Sequence, residues 1–118
     1  LNRSEGRKLP FRELSEPIDY ISRHFAGSIS VAALAQACNI SVSALERRFR
    51  KHLGKTPRQY INDVRLEHGR KLLLETDKAI GTVALETGFA DHSHFTRAYR
   101  KRYRATPSSL RRRPGSGA

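Results

Sequence analysis

The sequence predicts an all-α fold: two small helix-turn-helix lobes joined by one long helix. Three observations predict it. First, Val31, Leu34, Ala35 and Cys38 fall on one helical face, and Val42, Leu45, Phe49 and Leu53 form a second stripe only a few residues later. Two short helices joined that tightly must cross steeply, which is the helix-turn-helix arrangement. Second, the pattern recurs. The segment IGTVALETGFADHSHFTRAYRKRYRATP, Ile80 to Pro107, aligns with VAALAQACNISVSALERRFRKHLGKTP, Val31 to Pro57. Val31 meets Ile80, Leu34 meets Val83, Ala35 meets Ala84, Leu45 meets Phe95, Phe49 meets Tyr99 and Leu53 meets Tyr103. Arg47 meets Arg97, Arg50-Lys51 meets Arg100-Lys101, and Thr56-Pro57 meets Thr106-Pro107, with one extra residue in the second turn. Self-similarity at such a period marks a duplicated structural unit. Third, the stretch between the copies opens on Thr-Pro, a helix-start signal, and reads as one long helix to about Glu75.

Taken in order, residues 1–14 are polar and basic, with Gly6 and Pro10, and read as a linker from an N-terminal domain outside this chain; Leu9, Phe11 and Leu14 can dock on the core. Residues 15–55 form the first lobe. Ser15 is the expected N-cap of its first helix, with Glu16 and Asp19 where acids suit the helix dipole. Ile18, Ile21 and Phe25 are its core stripe, and Gly27 ends it. Ser30 and Ser41 cap the next two helices, Asn39 supplies the turn, and Gly54 is the stop. Residues 56–76 are the linker helix, running from Pro57 to about Glu75, roughly 27 Å. Its apolar residues, Tyr60, Ile61, Val64, Leu66, Leu72, Leu73 and Leu74, point several ways, as suits a helix serving a lobe at each end. Gly69 inside it costs about 1 kcal/mol against alanine, so close packing is expected there. Residues 77–112 form the second lobe, with Gly88 in the turn and Asp91 as cap. Arg104 replaces Gly54, so this copy's last helix is expected to stop differently or to run on. Residues 113–118 read as a disordered tail.

Lysine and arginine outnumber acids 23 to 11 in 118 residues, for a net charge of +12. Such a surplus predicts a polyanionic partner, nucleic acid first and a membrane surface second. No apolar run approaches the ~20 residues of a membrane span. A single cysteine excludes an internal disulfide and fits a reducing cytosol. The absence of methionine reads as a piece cut from a longer protein.

Beside the core stripe of the second helix, Ser43, Glu46, Arg47 and Arg50 share one polar strip. Two arginines held outward on a rigid helix suit base edges in a major groove. Cys38 reads as a core residue without a partner thiol. Asp91, His92 and His94 could suggest a metal site or a nuclease, but positions two apart do not share a helix face, and Asp91 serves as a cap. No paired carboxylates, phosphate loop or nucleophile motif appears, so the chain reads as a non-enzyme without cofactor or metal. Phe49, Tyr60, Phe89, Phe95, Tyr99 and Tyr103 lie on apolar stripes and read as core.

With these residues in place, the chain resembles the AraC/XylS family of bacterial transcription regulators over its DNA-binding module, from about Ile18 to Arg111. ETGFADHSHFTRAYRKRYRATPSSLR, residues 86–111, is similar to that family's second-repeat signature, and RLEHGRKLLLET to its connecting-helix signature. Gly69 stands where the family usually has alanine, and Arg104 where glycine is common. Both departures are expected to bear on stability and to lie off the reading surfaces. The resemblance implies seven helices in a homeodomain-like arrangement. Two reading helices, about 43–53 and 92–103, would enter successive major-groove segments about 34 Å apart on one face of the duplex. Copy one would offer the bases Ser43, Glu46, Arg47 and Arg50, and copy two His92, Ser93, His94, Thr96, Arg97 and Arg100. Arg47 and Arg97 suit bidentate contacts to guanine, and Glu46 either accepts from cytosine N4 or repels phosphate in wrong registers. Lys51, Arg58, Lys101, Arg102 and the first helix amides would contact phosphates. The implied partners are double-stranded DNA, RNA polymerase and an effector bound by another domain, in the bacterial cytoplasm at the nucleoid. The alternative is a basic module that binds nucleic acid without sequence preference.

Overall fold

A computed structural model describes residues 9–112. After a 3-10 turn over Leu9–Leu14 come seven α-helices: α1 (Ser15–His24), α2 (Val31–Ala37), α3 (Val42–Leu53), α4 (Pro57–Glu75), α5 (Ile80–Glu86), α6 (His92–Tyr103) and α7 (Pro107–Arg112). No strand occurs among the described residues. Residues 9–14, assigned to a linker from sequence, form the opening turn, and Leu14 is fully buried. Residues 1–8, the side chains of Leu9 and Phe11, and the tail over 113–118 lie outside the described residues.

The chain divides into two compact units, and the dividing point lies within α4, between Ile61 and Asn62. The first unit ends its N-terminal part at His24 and adds Ile29–Ile61; the second takes Phe25–Ser28 and the chain from Asn62 on. In the first unit Leu14, Ile21, Leu34, Leu45, Phe49 and Ile61 are excluded from solvent, and Phe49 packs on Tyr60 with ring centroids 5.6 Å apart. In the second unit the core is Leu66, Leu73, Val83, Ala84, Phe89, Phe95, Tyr99 and Leu110. Phe89, Phe95, Tyr99 and Tyr103 run through it as a chain of tilted rings, with successive centroids 4.6 to 5.8 Å apart. Truncating one buried ring of this kind costs about 3–5 kcal/mol.

Two arginines of the second unit are structural. The Arg65 guanidinium is buried and donates to the carbonyls of Phe25, at 2.8 Å, and Gly27, at 2.9 Å. Arg111 donates to the carbonyls of Leu73, at 3.1 Å, Thr76, at 2.9 Å, and Lys78, fastening α7 to the end of α4 and the turn after it. Carbonyls left over at a helix end need donors, and a guanidinium supplies several in one plane.

Local chemistry explains the helix limits. Ser30 and Ser41 accept from the amides of Ala33 and Ala44, both at 3.0 Å, and Asp91 accepts from His94 N at 2.8 Å. Thr56 and Gln59 cap each other reciprocally: Gln59 N donates to the Thr56 hydroxyl at 3.1 Å, and Thr56 N to the Gln59 side chain at 2.8 Å. Ser15 departs from its expected role, since its hydroxyl donates back to Arg12 O at 3.1 Å. The two turns are equivalent: Ile40 N donates to Ala35 O at 3.1 Å, and Phe89 N to Ala84 O at 2.9 Å, across Asn39 (φ 60°) and Gly88 (φ 98°). The extra residue of copy two is Ala90, between Phe89 and its cap Asp91.

The helix ends correct one sequence expectation. Gly54 stops α3 in the left-handed region at φ 68°, its amide bonded to Arg50 O at 3.0 Å. Arg104 stops α6 the same way, at φ 61°, its amide bonded to Arg100 O at 2.8 Å. The second copy neither runs on nor changes its stop; it holds an L residue in a conformation that costs about 1–2 kcal/mol.

Candidate nucleic-acid interface

Each reading helix is anchored by two buried residues four apart, Leu45 and Phe49 on α3 and Phe95 and Tyr99 on α6. At about 100° per residue, the position between each pair points the opposite way. Those positions are Arg47 and Arg97, both exposed. Within about 60° of Arg47 lie Ser43, Arg50 and Lys51, and within about 60° of Arg97 lie Ser93, His94, Arg100 and Lys101. All seven are exposed. The core geometry thus gathers the same set twice: serine, arginine, arginine, lysine.

The flanks differ. Glu46 and Thr96 hold one register, about 100° from the central arginine, but Glu46 is exposed and Thr96 half-buried. His92 opens α6 and is exposed. His94 sets its ring edge-on to Phe89, centroids 5.2 Å apart. A groove beside α6 is lined by His92, Ser93, Thr96, Arg97, Thr106 and Ser108. Thr106 and Ser108 belong to the start of α7 and were not singled out from sequence, where Thr106-Pro107 read only as a helix start.

Among the described residues, the side chains of Arg47, Arg50, Lys51, Arg97, Arg100 and Lys101 make no hydrogen bond or ion pair. The charges on the inner flank of α3 are engaged instead: Arg48 donates to Glu13 O at 3.3 Å, and His52 Nε2 lies 3.0 Å from Glu13 Oε1. That hydrogen bond, aided by Lys51 and Arg48, holds the Glu13 carboxyl below its ordinary value. Burial raises the thiol of half-buried Cys38 and the phenol of Tyr103.

The expected phosphate contacts fall into two groups. Lys51 and Lys101 share the outward faces, and Arg58 is exposed in the first turn of α4. Arg102 is set apart. It lies about 140° round α6 from Arg97. Its Nε is 3.4 Å from Asp63 Oδ1, and its guanidinium sits 5.3 Å from the Tyr103 ring centre. Its charge is already partnered, and it is not brought together with the strip. No group of three or more His, Cys, Asp or Glu among the described residues could hold a metal ion. None of the described helices is long and apolar enough to cross a membrane.

Two helix-turn-helix units, each presenting a row of unpartnered cations directly opposite its buried anchor, define the class: a duplicated helix-turn-helix domain. A family model described as a helix-turn-helix domain matches residues 34–113. The chain belongs to the AraC/XylS family and is a DNA-binding domain of it; the family is one of transcription regulators, not enzymes. Among its relatives, the transcriptional activator RhaS of Escherichia fergusonii is 33% identical over 107 residues, which cover 91% of this chain. The chain spans only 38% of that relative's length. An AraC-type regulator structure from Chromobacterium violaceum superposes with a TM-score of 0.81 at 31% identity, covering 88% of this chain and 96% of that one. The DNA-binding domain of AdpA, solved in complex with a target DNA, gives 0.79 at 26% identity, covering 83% of this chain and 88% of that one.

Proposed function

We propose that the chain binds a specific, asymmetric stretch of double-stranded DNA, with α3 and α6 each reading a segment of major groove, as part of a transcription regulator. The observation that carries this reading is the placement of Arg47 and Arg97 directly opposite the buried pairs of their helices. A side chain so placed leads the helix into whatever it docks on, and arginine matches guanine O6 and N7. Ser43, Glu46 and Arg50 complete the first reading surface, and His92, Ser93, His94, Thr96 and Arg100 the second. Lys51, Arg58 and Lys101 hold the phosphates on either side. Because Glu46 and Thr96 occupy one register with unlike chemistry, the two lobes prefer different bases, and the site has a direction.

The whole regulator extends beyond this chain. The name activator, carried by RhaS, supports a contact with RNA polymerase. An effector-binding domain and a cytoplasmic, nucleoid-bound setting complete the proposal. The test is selection of sites from random duplex with this chain, followed by footprinting. A single asymmetric winner with two protected stretches, bound ~10³-fold or more above scrambled duplex, is the expected result. A uniform affinity that depends only on salt would reduce the chain to a non-specific basic module.

A further inference from the structure

We propose that Arg104 is a DNA-backbone contact peculiar to the second lobe, one that carries the cationic row of α6 past the end of the helix. The inference rests on the function proposed above and adds a residue to its site.

Nothing within the described fold calls for arginine at this position. The left-handed cap at φ 61° suits glycine, and the equivalent residue in the first lobe is Gly54, at φ 68°. The Arg104 side chain is exposed and makes no hydrogen bond or ion pair among the described residues. A cation at a helix C-terminus gains from the dipole, but the last turn already holds Arg100, Lys101 and Arg102. A fourth adjacent cation gains little from the dipole and is repelled by the other three. A strained, unpartnered, electrostatically opposed side chain points to a role outside the fold.

Its location says which role. Arg104 follows Arg97 by seven residues, two helical turns, so its Cα returns to within about 20° of the same side of the helix, about 10 Å further along the axis. Ser93, Arg97, Arg100 and Arg104 therefore form one row at i, i+4, i+7 and i+11. That row is about 16 Å long. A helix that enters a B-DNA major groove by its N-terminus meets a groove only about 8.5 Å deep. A reading helix places its N-terminal residues at the base edges. The far end of the row then overruns the groove, and Arg104 meets the phosphates at its wall. The first lobe ends its row in Gly54 and lacks this contact.

The experiment compares the 118-residue chain with R104G, R104K and R104N. The probes are a duplex selected by the wild-type chain from random sequence and a scrambled duplex of the same composition. R104G is expected to unfold at a higher temperature than wild type, because the cap is relieved. It is also expected to bind both duplexes more weakly by a similar factor. Its slope of log affinity against log salt should be shallower by about 0.9, so its deficit at 50 mM salt is about threefold larger than at 200 mM. R104K keeps the wild-type slope, and R104N, which tolerates the cap but has no charge, loses it as R104G does. An unchanged slope in R104G and R104N overturns the proposal, and so does a deficit confined to the selected duplex, which would make Arg104 a base reader. Equal wild-type affinity for both duplexes would instead sink the specific-binding function, while the slope comparison still decides Arg104.

Discussion

Gly69 of α4 lies flush against the ring of Phe95 in α6: a Cβ built on the glycine would come within 2.7 Å of Phe95 Cε1 and 3.0 Å of Cζ. Phe95 is wholly buried and sits two residues before Arg97, so this contact seats the second reading helix. An extra methyl gains about 1 kcal/mol of helix propensity. It also forces a packed ring aside, at about 1–3 kcal/mol. Gly69→Ala is therefore expected to destabilise by about 1 kcal/mol net, lowering Tm by roughly 4–8 °C. Thermal and urea unfolding would show it; a stabilised variant would mean that the ring yields freely. The usual alanine of the family is thus expected to be the worse choice in this chain.

Arg97→Ala is expected to cost about 1–3 kcal/mol on the selected site and to relax preference at one base pair, as loss of a bidentate guanine contact does. Arg47→Ala should do the same at a different base pair, because the two helices hold their arginines in the same register. Competition binding against a panel of single-base variants reads this directly. A loss of equal size on every sequence would move the arginine to the phosphates.

Lys101 and Arg102 are neighbours in sequence but separate in geometry. Lys101 stands on the outward face of α6 without a partner, whereas Arg102 is tied to Asp63 at 3.4 Å and leans on Tyr103. Lys101→Ala is expected to weaken all duplexes alike and to lower the salt slope by about one. Arg102→Ala should leave the slope nearly unchanged and show its effect in stability, by less than ~1 kcal/mol, since the pair is partly exposed. Salt titrations of both variants on a scrambled duplex test the contrast, and equal slopes for the two would erase it.

Much of this was legible in the chain itself. The paired helices of each lobe, the repeat and the outward arginines follow from apolar spacing, because a helix buries the residues that recur every three or four positions and turns the others out; the count of seven helices comes from the family resemblance. The caps Ser41, Asp91 and Gly54 were legible because each has one local job. What stayed hidden depends on partners remote in sequence. That Arg102 is engaged requires Asp63, and that Arg65 and Arg111 are structural requires carbonyls at Phe25, Gly27, Leu73, Thr76 and Lys78. By composition they are indistinguishable from phosphate-binding arginines. The stop at Arg104 departs from the sequence expectation for another reason: propensity disfavours a left-handed arginine, but the paired amide and the seated helix hold it there.

Glu13 gives the first unit a pH dependence whose sign can be worked out. Its carboxylate oxygen lies 3.0 Å from His52 Nε2, and that bond, with Lys51 and Arg48 nearby, holds the group below its ordinary value of 4.5. A carboxyl with a depressed folded value binds fewer protons folded than unfolded, so the folded state is favoured while the group is ionised. The contribution is fully present above 4.5 and is lost as pH falls through the lower folded value. Glu13→Gln keeps the shape and removes the charge. Wild type is expected to exceed the variant in urea midpoint at neutral pH, with the gap closing as pH falls below 4.5. A gap that stayed constant as the solution was acidified, or widened, would show that the Glu13 charge does not stabilise the fold.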